Sequence, residues 1–300
     1  VNGSVLTIGN FDGVHAGHGL LLRRVIELGH EHRLKPAVLT FDPHPTRVVA
    51  PHRAPRLLTS IEERIALIRE QGVDEVVVLP FTAEVAHLSP LEFVERIVVG
   101  QLRARIVMVG DNFRFGHKQA GDINTLSELG SRFGFETQIV EAVRRRGRLV
   151  SSSEIRRLIE QGNVAMAGRL LERPYDLYGD VVSGHGIGSR QTVPTLNLRT
   201  PAEVIPAEGV YITRTKDLET GERWNSISNV GTRPTFGGGD LTIETYLLSF
   251  FDGLTPGRVA VEFLWRVRAE KKFENAEALK QQILRDVDRA QTFFRRLGLH

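Results

Sequence analysis

Residues 9–24 read GNFDGVHAGHGLLLRR. His15 and His18 stand three apart with Gly17 between them, in a glycine-rich run that follows the short apolar stretch VLTI. Glycines where a strand hands over to a helix let backbone N–H groups approach phosphate oxygens. The helix that follows adds the positive end of its dipole. His15 and His18 could donate hydrogen bonds to phosphates, or to the negative charge developing on a transferring phosphoryl group. A metal site is an alternative, with Asp12 as the nearest third ligand; a plain glycine-rich turn is another. No GKS or GKT follows a glycine-rich run and no GxGxxG is present, so neither a Walker loop nor a dinucleotide-binding turn is expected.

Further segments could join that chemistry. FDPHP, 41–45, supplies Asp42 and His44 beside two prolines that stiffen the loop. GDNFRFGHKQAGD, 110–122, brings Asn112, Phe113 and Arg114, a set suited to stacking and to phosphate or ribose contacts. VSSSEIRR, 150–157, opens a helix with hydroxyls, Ser152 among them, and places Arg156 one turn in, which again suits an anion. In the second half, GHGIGSRQTVPTLN, 184–197, ends on Thr195 and Asn197, two hard oxygen donors near a glycine loop, suited to Mg²⁺ with nucleotide phosphates. SNVGTRPTFGGG, 228–239, follows, and then Glu244 in TIETYL. On spacing alone Glu244 is a solvent-facing strand residue.

The elements that must position these residues change texture once along the chain. Up to about residue 172 short apolar runs alternate with amphipathic stretches: SVLTIG, then GLLLRRVIELGHEH with apolar Leu21, Leu22, Val25, Ile26 and Leu28. PAVLTF, VDEVVVLPF, ARIVMVG and FETQIVEAV read as further strands. SIEE from Ser60, SPLEFVERIVV from Ser89, DINTLSELGSRFG and SSSEIRRLIEQG read as helices. This is a βαβ pattern with a mostly parallel sheet, whose ligands sit at the C-terminal strand ends. After ERPYDLYGD, 172–180, strands follow one another with turns such as TG, GGG and TPG between them, predicting an antiparallel barrel. A terminal helix over about 275–296 carries Ala278, Ile283, Val287 and Phe294 on or near one face and is expected to cover the barrel.

Composition fits a folded enzyme. The 300 residues are 41% hydrophobic and 25% charged, enough for one large domain or two ordinary ones. No cysteine is present, which excludes disulfides and thiolate ligands. No run resembles a membrane span or a signal peptide, so a cytoplasmic enzyme is expected. The net charge is only +3, and the basic spots at 144–148 and 293–296 lack aromatic stacking platforms. Small-molecule polyanions are therefore expected as partners, with no nucleic acid and no membrane. The chain begins at Val1 and is in a strand by about Val5, which leaves room for an upstream lead-in.

TIGNFDGVHAGH, FDPHP, VGDNFRFG and VSSSEIR together resemble the bacterial bifunctional riboflavin kinase/FMN adenylyltransferase (FAD synthetase) family, over nearly the whole chain. The resemblance implies an α/β fold: an N-terminal Rossmann-like nucleotidyltransferase domain over 1–172, then a riboflavin kinase barrel with a terminal helix over 173–300. It implies ATP as co-substrate, Mg²⁺, and riboflavin, FMN and FAD as substrate or product, in a monomer or weak homo-oligomer. Carried over, Gly9, Asn10, Phe11 and Asp12 line the nucleotide cleft, and His15 and His18 contact ATP phosphates. Asp42 and His44 sit beside the phosphates, Asn112, Phe113 and Arg114 belong to a flavin or nucleotide segment, and Ser152 and Arg156 form the second phosphate motif. PTLN matches PTxN, so Thr195 and Asn197 are implied as Mg²⁺–ATP residues. Glu244 is implied as general base, and Asn229 and Arg233 lie in the NxGxRP segment bordering the site. The KKF lead-in, 271–273, and the terminal helix match elements that close over flavin.

One departure stands out. Thr192 occupies a position before PTLN where the family usually has glycine, so the loop could take another path. Three rival readings carry less weight. A single-function adenylyltransferase does not account for PTLN and NVGTRP. A regulator with dead sites predicts erosion at His15, His18, Arg156 or Glu244, and none is eroded. A nucleic-acid-binding barrel needs a basic–aromatic stripe that the second half lacks.

Overall fold

In the computed structural model, which describes residues 3–182, 195–235, 238–249 and 255–298, the first strand, β1 (Ser4–Ile8), is buried at every position. A central strand covered on both faces reads as such an unbroken apolar run. The chain continues through α1 (Ala16–His32), β2 (Lys35–Asp42), α2 (Pro45–Val49), α3 (Ile61–Glu70), β3 (Glu75–Pro80), α4 (Ala83–His87) and α5 (Pro90–Phe93). A π-helical stretch over Val94–Gln101 extends α5, and β4 (Ala104–Gly110), α6 (Ile123–Phe133) and β5 (Glu136–Val140) follow. The five strands pair in parallel in the order β3-β2-β1-β4-β5. Chain order reverses between β1 and β4, and in open sheets of this kind the crevice beyond that point binds ligands.

Both faces of the sheet are covered. On one, Val5, Val38, Ile106 and Met108 meet Leu21, Leu22, Val25 and Leu28 of α1 and Ile68 of α3. On the other, Leu6, Leu39, Val107 and Val109 meet Phe93, Val94, Val98 and Leu126. Ile26, placed by periodicity with the apolar stripe of α1, is only partly buried at its edge. The helices begin where capping chemistry expects: reciprocal capping boxes at Ser60–Glu63 and Ser89–Glu92, and Asp122 as N-cap of α6.

The contacts divide the chain into two units, Val1–Ser152 and Ser153–His300. A short hairpin, β6 (Arg144–Arg145) with β7 (Arg148–Leu149), ends the first. The helices α7 (Ser152–Glu160) and α8 (Val164–Leu171) lead into the second, with α8 against barrel strands. There β8 (Tyr175–Val182), β9 (Thr195–Arg199), β10 (Gly209–Asp217), β11 (Arg223–Thr235), β12 (Gly238–Leu247) and β13 (Arg258–Ala269) close an antiparallel barrel in the order β10-β11-β12-β9-β8-β13.

Part of the barrel interior is hydroxylic. Thr215 meets Ser226 at 2.8 Å, Ser226 meets Thr213 at 2.9 Å, Thr213 meets Ser228 at 2.8 Å and Ser228 meets Thr245 at 2.8 Å. All five are fully buried. Such a chain stabilises only while every member has its partner, so it also fixes the register of β10, β11 and β12. Ser228→Ala should lower unfolding free energy by about 1–3 kcal/mol in a urea titration, because it strips a buried partner from both Thr213 and Thr245. No measurable loss would show that the chain contributes nothing to stability.

The last helix, α9 (Ala276–Arg296), covers one outer side of the barrel. Ala290 and Phe294 are buried with Val210, Ile212 and Ile227, and Val287 is partly buried beside them. Ile283 was expected on that face but is 43% exposed. Asp286 shares in setting the buried side of α9: its carboxylate accepts from Arg268 Nε at 2.8 Å and from Gln282. Among the described residues no helix is long and apolar enough to cross a membrane.

Candidate active sites

In the first unit the candidate residues gather at the C-terminal ends of β1, β2 and β4. The turn after β1 is tight: Phe11, Gly13 and Val14 all have positive φ (50°, 80° and 38°). Outside glycine such conformations cost of order 1–3 kcal/mol and persist only where their surroundings impose them. Asp12, 2% exposed, does that work. Its Oδ1 accepts from the amides of Leu58 (2.9 Å) and Thr59 (3.2 Å), and the Thr59 hydroxyl takes the Gly13 amide at 3.1 Å. Oδ1 of Asp12, the nearest third ligand in the metal alternative, is thus engaged in holding the turn. Ser152 donates to the Asp12 carbonyl at 2.9 Å, so the start of the SSSEIRR segment is tied to the histidine turn. Thr40 donates to the Asn10 carbonyl, and the Gly9 amide to Leu39, which anchors the turn to β2.

The two histidines cap α1 for each other. The His18 amide donates to His15 Nδ1 (3.3 Å), and the His15 amide donates to His18 Nδ1 (3.4 Å). Their rings stack at 3.6 Å with an interplanar angle of 11°. A backbone N–H can only donate, so each Nδ1 must present a lone pair, and the ring proton of each neutral imidazole lies on Nε2. Burial, then the charges of His15 and Arg64, hold the His18 imidazole well below its usual range, as a neutral donor. His44 repeats the device: its Nδ1 accepts from the Thr46 amide at 3.2 Å and caps α2. Asp42, at the end of β2, is exposed.

Gly17 explains its place in HxGH. A Cβ there would sit 3.2 Å from both Cε1 and Nδ1 of the His15 ring. Gly17→Ala should lower the nucleotidyl transfer that the resemblance implies for this turn on the order of 10- to 100-fold by displacing that ring. Thermal stability should change little, because alanine's helix preference over glycine, up to about 1 kcal/mol, offsets what the shifted His15 cap loses. Parallel loss of stability and activity would contradict this account.

Beyond β4, Asn112 and Arg114 are exposed, and Arg114 pairs with Asp122 at 3.3 Å. Phe113 is half-buried and stacks on Phe115 at 5.5 Å, so it belongs partly to the core. Arg156 lies in the second unit, with a guanidinium nitrogen 3.4 Å from the Ser153 hydroxyl.

In the second unit strand register gathers the candidates. Asn197 on β9 pairs with Glu244 on β12, and Glu244 pairs with Asn229 on β11. Thr195 pairs with Tyr246, two residues along β12 on the same face. Their neighbours Leu196, Ser228 and Thr245 point inward and are buried, so this row lies outside the barrel. Tyr246 packs at the edge of the apolar cluster under α9, which places the row beside that helix. Thr195 and Asn197 fit a magnesium–nucleotide site: hard oxygen donors on one exposed face, beside a carboxylate. No group of three or more His, Asp or Glu side chains suited to a metal occurs among the described residues, so phosphate oxygens and water would complete the shell. Gly231 lies where a Cβ would meet Glu270 Oε1 at 2.8 Å. Burial and the neighbouring Glu208 raise the Glu270 carboxyl above its usual range. Phe273 of KKF lies between Arg268 and Lys271, with cation–ring distances of 5.6 and 5.8 Å. Arg233 pairs through its backbone with Asp240. The side chain of Arg233, the glycine loop over 183–190 and Thr192 lie outside the described residues.

Sequence reasoning passed over Arg64. It stands with Ile68 on the buried side of α3, so a single arginine in the apolar stripe SIEERIALI was the signal available.

Two family models match in series: FAD synthetase over residues 1–154 and riboflavin kinase over 171–294. A bifunctional riboflavin kinase/FMN adenylyltransferase of Haemophilus influenzae is 34% identical over 98% of this chain and 95% of its own length. Its counterpart in Escherichia coli K12 is 36% identical over 97% of this chain and 93% of its own. A solved structure from Streptococcus pneumoniae, called a macrolide-efflux protein, superposes with a TM-score of 0.87 at 27% identity, covering 97% of this chain and 95% of that one.

Proposed function

The chain belongs to the bifunctional riboflavin kinase/FMN adenylyltransferase family, and on that premise we propose which of its residues carry each activity. It phosphorylates riboflavin to FMN with ATP, then adenylylates FMN to FAD with release of pyrophosphate. Residues 1–172 are assigned the adenylyl transfer and 173–300 the phosphorylation, in line with where the two family models match.

In adenylyl transfer an FMN phosphate oxygen attacks the α-phosphorus of ATP, and the bond to pyrophosphate breaks. The attacking oxygen is already ionised, so no base is needed; the task is to bring two polyanions into line. His18, kept neutral, donates through Nε2–H to phosphate oxygens, and the Nε2–H groups of His15 and His44 offer further donors. Gly9, Asn10, Phe11 and Asp12 shape the turn, Asp42 flanks the phosphates, and Asn112, Phe113 and Arg114 receive flavin or base. Ser152 and Arg156 complete the phosphate contacts.

Phosphorylation of riboflavin differs because an alcohol attacks. The ribityl oxygen bonds to the γ-phosphorus, the bond to ADP breaks, and Glu244 takes the hydroxyl proton. Thr195 and Asn197 would hold Mg²⁺, which offsets the charge of the triphosphate when bound. Asn229 orients Glu244 from the next strand, and Arg233 borders the site. The observation that carries this reading is the row Asn197–Glu244–Asn229 across three neighbouring strands, a carboxylate flanked by two amides on one face.

Small molecules are the proposed partners, with no nucleic acid and no membrane, for a monomer or weak homo-oligomer in the cytoplasm, where ATP is plentiful. Incubating the purified chain with riboflavin, ATP and Mg²⁺ and resolving flavins over time tests the whole. FMN should appear first and FAD after it. Formation of neither would overturn the reading, and omission of Mg²⁺ should stop phosphorylation.

A further inference from the structure

Arg64 is 1% exposed and heads the fully buried side chains by volume. One of its terminal nitrogens reaches the Thr40 hydroxyl at 3.5 Å and the Phe41 carbonyl at 3.3 Å. Its Nε is buried with no hydrogen-bond partner among the described residues. Two long bonds to neutral acceptors are poor compensation for a buried cation, which elsewhere is paired with a carboxylate in good geometry. Desolvation accordingly lowers the guanidinium from its usual range, and the charges of Asp12 and Asp42 offset this only in part. A structural role alone leaves that cost unexplained, since an apolar side chain of similar length would fill the space without it.

The position explains what the charge is for. Arg64 grips the end of β2, where Thr40 in turn holds the Asn10 carbonyl of the histidine turn. Two of the loops assigned to adenylyl transfer, 9–18 and 41–45, meet at this side chain. We propose that Arg64 is a positioning residue of adenylyl transfer: its incompletely bonded guanidinium fixes the end of β2 against the histidine turn and supplies the positive field that draws in the ATP phosphates. This rests on the assignment of His15 and His18 to that reaction.

The groups around His18 allow a discriminating test. From its own turn and helix His18 faces the stacked His15, and from α3 it faces the charge of Arg64. Asp12, Asp42 and Arg47 in turn face Arg64. Burial and His15 remain when Arg64 is neutralised, but one repelling charge is lost, so His18 should bind its proton at a higher pH. Arg64→Met and Arg64→Gln are the neutral variants, and Arg64→Lys keeps the charge. The readouts are ¹⁵N NMR titration of the His18 ring in the full chain and the pH profile of FAD formation from supplied FMN.

In both neutral variants the His18 titration and the acid limb of the profile should move upward together, with KM for ATP raised on the order of tenfold or more; Arg64→Lys should restore all three. Neutral variants that fold and titrate like the parent would overturn the proposal, as would a uniform loss of rate without a shift. If neither neutral variant folds, Arg64 is structural and the proposal fails. His18→Ala separates this from the site assignment: if it retains adenylyl transfer, the histidine reading is wrong; if it loses that activity while the Arg64 variants show no shift, only the Arg64 proposal falls.

Discussion

Replacing Glu244 with Gln is expected to cut riboflavin phosphorylation by about 10²- to 10⁴-fold while FAD formation from supplied FMN continues at the parent rate. The substitution changes almost nothing but proton chemistry. Gln keeps the length and the strand position between Asn197 and Asn229, and exchanges one acceptor oxygen for an NH₂ donor. What it cannot do is accept the ribityl proton as the bond to the γ-phosphorus forms. A carboxylate lying only on the solvent face of β12 would lose little on conversion to its amide, so the same measurement weighs general base against surface residue. KM for riboflavin should change far less than kcat, because the lost interaction belongs to the transition state. A kcat within a factor of about two of the parent would remove Glu244 from the mechanism. A fall in both activities at once would point to misfolding, which circular dichroism separates.

How far such sites can be read ahead of a structure depends on whether their residues are near in sequence. The histidine turn is local: glycine positions, the strand before and the helix after are legible in sixteen residues, and the parallel sheet follows from alternating periods. The barrel was legible as a run of strands, but its register was not, because nothing local says that Asn197 and Asn229 flank Glu244. Strand pairing decides that, and spacing alone pointed Glu244 at solvent. The outer face is indeed where it lies, and only the neighbours on adjacent strands turn that face into a site. Asp12 is the opposite case. Its spacing from His15 and His18 left a metal ligand open as an alternative, and only the structure shows its Oδ1 serving amides at Leu58 and Thr59, 46 and 47 residues on. Arg64 was hidden for the same reason: its partners at Thr40 and Phe41 come from another strand. Ile283 matched the helical period, but Asp286, drawn inward by Arg268, shares in setting which side of α9 is buried.

His18→Ala is expected to lower FAD formation by about 10²- to 10³-fold and leave riboflavin phosphorylation intact, so that FMN accumulates where FAD would have followed. Two losses combine. The Nε2–H donor to phosphate disappears, and so does the Nδ1 acceptor that satisfies the His15 amide. His15 then loses its stacking partner as well, and its own ring is free to leave the position that caps α1. His18→Asn separates the contributions, since an amide can still accept from the His15 amide but cannot place a donor where Nε2 lies. It should recover helix stability and little of the rate. The pH dependence carries the sign of the same arrangement. His18 has its folded value lowered, by burial first, so it stays neutral as pH falls through the ordinary histidine range. The unfolded chain takes up that proton first, so the stability linked to His18 is complete above the ordinary value and declines as pH falls from there toward the lowered one. Adenylyl transfer should therefore persist below pH 6.5 and fail only where His18 itself protonates, because a proton on Nδ1 opposes the His15 N–H and breaks the reciprocal cap. An acid limb centred at or above 6.5 for the parent enzyme would contradict both the neutral donor and the cap that enforces it.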